Sequence, residues 1–134
     1  MILLKIPLLF LVLLARVNST KLLLNGTVLC RSDTPWNYKI DVVNADVLGI
    51  FYEKIGKDHD KNLTTISSTY SIEQNLARIP GGIVELLYMV EFCCNDVEKN
   101  SFMIEGPKFY LSENSIHDEI VINLNKVTVR RIKR

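Results

Sequence analysis

The 134-residue chain holds only two histidines, one tryptophan and three cysteines. A metal centre needs three or four converging ligands, and two histidines, His59 and His117, with no local ligand spacing do not supply them. Glycine-rich phosphate cradles and nucleophile-elbow serines are absent, which removes the commonest nucleotide and acyl-transfer signatures. No Gly/Ser linker, internal repeat or low-complexity block divides the chain, so a second domain has no support. After the first 15 residues no apolar run approaches the roughly 20 residues of a spanning helix.

The beginning of the chain is different in kind. Lys5 supplies a positive n-region, Ile6 to Ala15 form a short apolar h-region, and Val17 and Ser19 put small residues at the minus-three and minus-one positions of a cut before Thr20. Residues 1–19 therefore read as a cleavable secretory signal, with a cut after Ala15 as the second position. The mature chain, 20–134, holds 14 basic and 15 acidic side chains, a balance that disfavours bulk nucleic-acid binding. Its charge is uneven. Lys126, Arg130, Arg131, Lys133 and Arg134 make a basic tail on an acidic body, either a solvated final strand or a weak attraction for an acidic partner or an anionic lipid head group.

Three cysteines in an oxidising compartment leave one over. Cys93 and Cys94 point to opposite faces of an extended chain, so they do not bridge each other and Cys30 pairs with one of them. The strand signal dominates elsewhere. Lys21–Arg31, Tyr38–Val42, Val47–Ile55, Thr64–Ile72, Ile83–Cys93, Ser101–Ile104, Asp118–Leu124 and Lys126–Ile132 each read as a strand, the last two as a hairpin through Asn125. Gly56 to Asn62 reads as a polar turn, and Ile66, Ser68, Tyr70 and Ile72 share one face of the strand that follows. Ile83–Cys93 is the most apolar part of the mature chain; Pro80-Gly81-Gly82 before it and its Tyr, Val and Phe content favour strand over helix. Seven or eight short strands in this length predict an all-β sandwich.

The order of landmarks resembles the transthyretin-like family of small secreted nematode proteins. Gly26-Thr27-Val28-Leu29-Cys30 is similar to that family's opening strand, followed by Pro35 and the alternating Tyr38–Val42 strand running on to Asp46. Asp58–Leu63 is similar to its Asp-x-x-Gly-x-Phe element, with Asn62 where glycine is usual. Pro80, the strand up to Cys94-Asn95, the Ile104, Pro107 and Tyr110 step, and Asp118–Leu124 complete the likeness, while Phe92 replaces a histidine and a further cysteine is missing. The resemblance implies a prealbumin-type sandwich, an extracellular life, a bridge between Cys30 and Cys94, and a binding rather than catalytic role, linking a cell-surface or lipid ligand to a protein receptor. No cofactor is implied.

The same scaffold carries hydroxyisourate hydrolases, but the ending Val129-Arg130-Arg131-Ile132-Lys133-Arg134 lacks their Tyr-Arg-Gly-Ser, and the histidines read as solvated loop residues. An immunoglobulin-like recognition domain is the third possibility, since Trp36 falls between Cys30 and Cys94. Trp36 itself reads either as an exposed anchor for a partner or as the cover of one core end. Asn25-Gly26-Thr27 and Asn62-Leu63-Thr64 match the glycosylation acceptor pattern; Asn18-Ser19-Thr20 straddles the expected cut. Edman sequencing of the exported product is expected to start at Thr20, with a start at Arg16 marking the alternative cut.

Overall fold

A computed structural model describes residues 19–45, 53–77, 81–95 and 98–133. The expected signal segment before Ser19, most of the Val47–Ile55 stretch with Asp46, the Ile79-Pro80 step and Arg134 lie outside the described residues. Eight strands follow one another: β1 (Ser19–Leu29), β2 (Trp36–Asn44), β3 (Glu53–Leu63), β4 (Ser67–Ala77), β5 (Ile83–Cys93), β6 (Asn100–Tyr110), β7 (Ser115–Asn123) and β8 (Thr128–Arg131). They form two four-stranded sheets, β4-β1-β7-β8 and β3-β2-β5-β6, packed as a sandwich. All pairings are antiparallel except β1 with β7. β1 and β2 lie in opposite sheets, whereas an immunoglobulin domain pairs its first two strands in one sheet.

The core follows from period-two burial. Along β5, Val84, Leu86, Tyr88, Val90 and Phe92 are buried while the intervening residues are half-exposed, so this segment is strand and not helix. Ile40 and Val42 of the neighbouring strand β2 extend this inner face, and Leu22, Leu24 and Val28 of β1 with Ile120 and Ile122 of β7 meet it from the opposite sheet. Gly26 is demanded by close approach: a Cβ there would lie 2.0 Å from the Ile120 carbonyl oxygen and 2.8 Å from the Tyr70 hydroxyl. Trp36 belongs to this core. It is 1% exposed and its indole N–H donates to the Thr65 carbonyl at 2.7 Å, so it is no surface anchor.

Several sequence expectations change here. Gly56–Asn62 is not a turn but most of β3, an edge strand of its sheet. Its charge has a structural purpose: Asp58 and Asp60 lie opposite Ile40 and Tyr38, so they face inward at the seam between the sheets. There Asp58 Oδ2 accepts the Ser71 backbone N–H at 3.1 Å, and Asp60 Oδ2 accepts the Ser68 hydroxyl at 3.5 Å. Inward charges on an edge discourage pairing with another chain, and in sequence they look like a loop. Asn62 has φ 55°, beside a register shift between Trp36 and Tyr38, a left-handed conformation that asparagine tolerates. Ile66 precedes β4 and is 62% exposed, off the face shared by Tyr70 and Ile72. His59 and His117 are on strands β3 and β7, not in loops. β6 runs through Gly106 and Pro107 to Tyr110, with a register shift opposite them, which an edge strand tolerates.

One residue past the ends of β1 and β5, Cys30 and Cys94 form a disulfide with Cα atoms 6.0 Å apart. The bond joins central strands of opposite sheets. Cys93, on the other face of β5, is a free, half-exposed thiol. The bridge spans a sequence separation of 64 residues. Replacing both Cys30 and Cys94 by alanine is expected to lower urea-unfolding stability by roughly 4 kcal/mol on the chain-entropy model, with Cys93→Ser nearly silent.

Candidate binding surface at the disulfide pole

Four connections meet at the end of the sandwich that holds the disulfide: Cys30–Pro35, Thr64–Ile66, the segment after Cys94, and the turn at 124–127. Short polar side chains tie them together. The Asn125 carboxamide accepts the Arg31 backbone N–H at 2.7 Å and donates to the Arg31 carbonyl at 2.9 Å, pairing with that backbone as a neighbouring strand would. Asn125 Nδ2 also lies 3.4 Å from Cys94 Sγ. Asn95, at φ 59°, donates its amide to the same Arg31 carbonyl and accepts the Asp33 N–H at 3.3 Å. The Cys30 N–H donates to the Ile66 carbonyl at 3.0 Å, so the residue that starts the bridge also holds Ile66 in place.

Two depressions flank this asparagine bridge. One, of about 580 Å³, is lined by Leu29, Arg31, Ile66, Asn95, Asn123, Asn125 and Lys126. Its described lining holds two cations and no carboxylate. The other, of about 400 Å³, is lined by Phe92, Cys94, Asn95, Asn100, Ser101, Phe102, Leu124, Asn125 and Val127. Phe92 and Phe102 meet edge to face in its wall, with centroids 5.7 Å apart. Ile66 and Val127, at 62% and 50%, are among the most exposed large apolar side chains, and each sits on one depression. Exposed apolar groups rimmed by polar ones and by cations are the composition of a recognition surface.

The residues singled out in the sequence disperse over the molecule. His59 lies across from Lys39 on the outer face of the β3-β2-β5-β6 sheet, while His117 lies on the outer face of the other sheet, its Nε2 2.8 Å from Asn25 Oδ1. The two imidazoles thus point away from each other, and among the described residues no group of three His, Cys, Asp or Glu side chains converges. Asn25 is neither a turn nor a bulge residue; it sits mid-strand in β1, between Ser71 and Glu119. Asn62 is exposed at the end of β3. The basic tail does not act as one patch: Lys126 lines the pole, β8 runs away from it, and Arg131 turns inward.

Arg131 completes a buried cluster that sequence reasoning missed. Its Nε donates to Asp118 Oδ1 at 2.7 Å and its Nη2 to Asp118 Oδ2 at 3.2 Å, while Nη2 also reaches the Glu105 carbonyl at 3.3 Å. From the opposite sheet the Tyr88 hydroxyl donates to Asp118 Oδ2 at 2.6 Å. Asp118 is 4% exposed, and the fork closes the β6–β8 side of the sandwich. The nearby Tyr70 hydroxyl is buried with no hydrogen-bond partner among the described residues. Burial, and then Asp118, push both phenols far above their usual range: for Tyr88 through the hydrogen bond and the charge, for Tyr70 through the charge. The signal for this cluster was the inward register of Asp118 and Arg131 on adjacent strands, which only the pairing of Ile120 with Arg131 reveals.

Among the described residues no helix is long and apolar enough to cross a membrane. No family model, curated protein or solved structure matches the chain.

Tyr88→Phe is expected to cost about 1–3 kcal/mol by stripping a partner from buried Asp118, whereas Tyr70→Phe removes an unpaired hydroxyl and should be neutral or stabilising by up to about 1 kcal/mol. Because the folded phenols hold their protons more tightly than unfolded ones, whose ordinary value is 10.0, stability is retained below that pH and falls as pH rises above it. Urea titrations of the wild type and both variants at neutral and strongly alkaline pH check both statements; Tyr88→Phe should flatten the alkaline loss.

Proposed function

We propose that this chain is an exported, non-enzymatic binding protein built on a transthyretin-like sandwich, and that it takes an anionic lipid head group at the disulfide pole. The observation that carries the reading is the larger depression there, where Arg31 and Lys126 stand beside exposed Ile66 with no carboxylate in the described lining. Two cations attract a phosphate, and Ile66 with Leu29 offers apolar contact to what the phosphate is attached to.

Export is supported by the n-region and h-region before Thr20 and by the disulfide, a bond that persists in oxidising compartments. The fold assignment is supported by two four-stranded sheets with one parallel pair and by the bridge between Cys30 and Cys94. Binding is favoured over hydrolysis because the two histidines, the residues a hydroxyisourate-hydrolase site would use, face opposite sides of the sandwich. The two sheet faces are then left for a protein receptor, which would make the molecule a bridge.

Co-sedimentation of the secreted protein with phosphatidylserine-containing vesicles, against phosphatidylcholine alone, tests the reading. The wild type should bind the anionic vesicles selectively. Arg31→Glu with Lys126→Glu should weaken binding roughly thirtyfold, at about 1 kcal/mol per basic group. Arg130→Glu with Lys133→Glu, further along the chain from the pole, should change it by no more than about twofold given a Debye length of about 8 Å. Equal retention of the wild type and the pole variant, or no selectivity for anionic vesicles, would defeat the proposal.

A further inference from the structure

We infer that Asn62 carries an N-linked glycan and that Asn25, in the chain's other sequon of the mature region, does not. The inference rests on the export proposed above. Both tripeptides, Asn25-Gly26-Thr27 and Asn62-Leu63-Thr64, satisfy the acceptor pattern, and the sequence favours Asn62 only for lying in an expected polar turn, which the structure replaces by a strand end. The fold separates them.

Asn62 ends an edge strand. The side chains of Asn62 and Thr64 are both exposed, and among the described residues nothing hydrogen-bonds to the Asn62 carboxamide. Its φ of 55° at a register shift takes it out of the regular pleat, and asparagine holds that conformation with or without a sugar on Nδ2. Asn25 is the opposite case. It is half-buried in β1, a central strand, with Ser71 and Glu119 as register neighbours on the two flanking strands, each about 4.8 Å away. Its Oδ1 is held 2.8 Å from His117 Nε2. A sugar on Nδ2, the other arm of the same carboxamide, would have to stand between side chains spaced one strand apart.

The reaction needs a polyprenyl-diphosphate-linked oligosaccharide as donor. Asn62 Nδ2 forms a bond to C1 of the first sugar as the C1–O bond to the diphosphate breaks; polyprenyl diphosphate leaves, and the proton lost from Nδ2 passes to a base of the transferase. Nothing is oxidised or reduced. Asn62 is not among the residues that line the larger depression. It stands instead at the end of β3, on the free edge of the β3-β2-β5-β6 sheet, where a bulky hydrophilic group blocks pairing with another chain.

The test is expression of the full chain in glycosylating eukaryotic cells, with masses measured before and after peptide-N-glycosidase for the wild type, Asn25→Gln, Asn62→Gln and Thr64→Ala. The wild type and Asn25→Gln should each lose one glycan, with Asn62 converted to aspartate. Neither Asn62→Gln nor Thr64→Ala should shift; Thr64→Ala keeps asparagine at the left-handed position and so separates loss of the sequon from loss of the fold. A glycan that survives both changes, or disappears in Asn25→Gln, overturns the inference. A wild type in the medium without any glycan overturns it while leaving export standing, and an unglycosylated protein retained in the cytosol overturns both.

Discussion

The bond between Cys30 and Cys94 ties β1 to β5, the central strands of the two sheets, at one end of the sandwich. Everything at that pole is arranged around it. Because Cys30 accepts its register from the Ile66 carbonyl and Cys94 lies against Asn125, four connections from both sheets are drawn to the same few ångströms. Loops held this way present exposed Ile66, Val127, Arg31 and Lys126 in a fixed relation, which is what a recognition surface needs and what loops without a cross-link do not readily provide.

The two long sides of the sandwich solve a second problem, that of closing sheets which do not form a barrel. On the β3–β4 side the acids Asp58 and Asp60 turn inward and accept hydrogen bonds from β4. On the β6–β8 side Arg131 reaches in to Asp118, which Tyr88 engages from the other sheet. Both closures are polar. They satisfy groups that would otherwise be stranded at a seam, and they make each side unattractive to an added strand. The Arg131 closure also recruits the short, fully exposed β8, which offers little apolar burial of its own.

Much of this architecture was legible along the chain. Ile83–Cys93 is a nearly continuous apolar run rich in Val, Tyr and Phe after a Pro-Gly-Gly break, and its strand is found where that run starts and stops. The β7–β8 hairpin through Asn125 was equally visible. β3, with His59 on it, was not, because an edge strand that points carboxylates inward carries the composition of a loop; His117 lies in the mostly polar Ser115–Glu119 half of the central strand β7, which reads as a loop for its polarity alone. Trp36 was readable only to two alternatives, and burial with the indole bonded to Thr65 decides between them.

The pattern of residues along the chain was enough for an all-β sandwich and for the pairing of Cys30 with one of two adjacent cysteines, since each depends on spacing within a short window. Which residues meet across the sheets was not written in any window. Asp118 with Tyr88 and Arg131, or Arg31 with Lys126 and Ile66, come together only through register and strand order, because contacts between residues 13 to 95 positions apart are set by how the whole chain pairs.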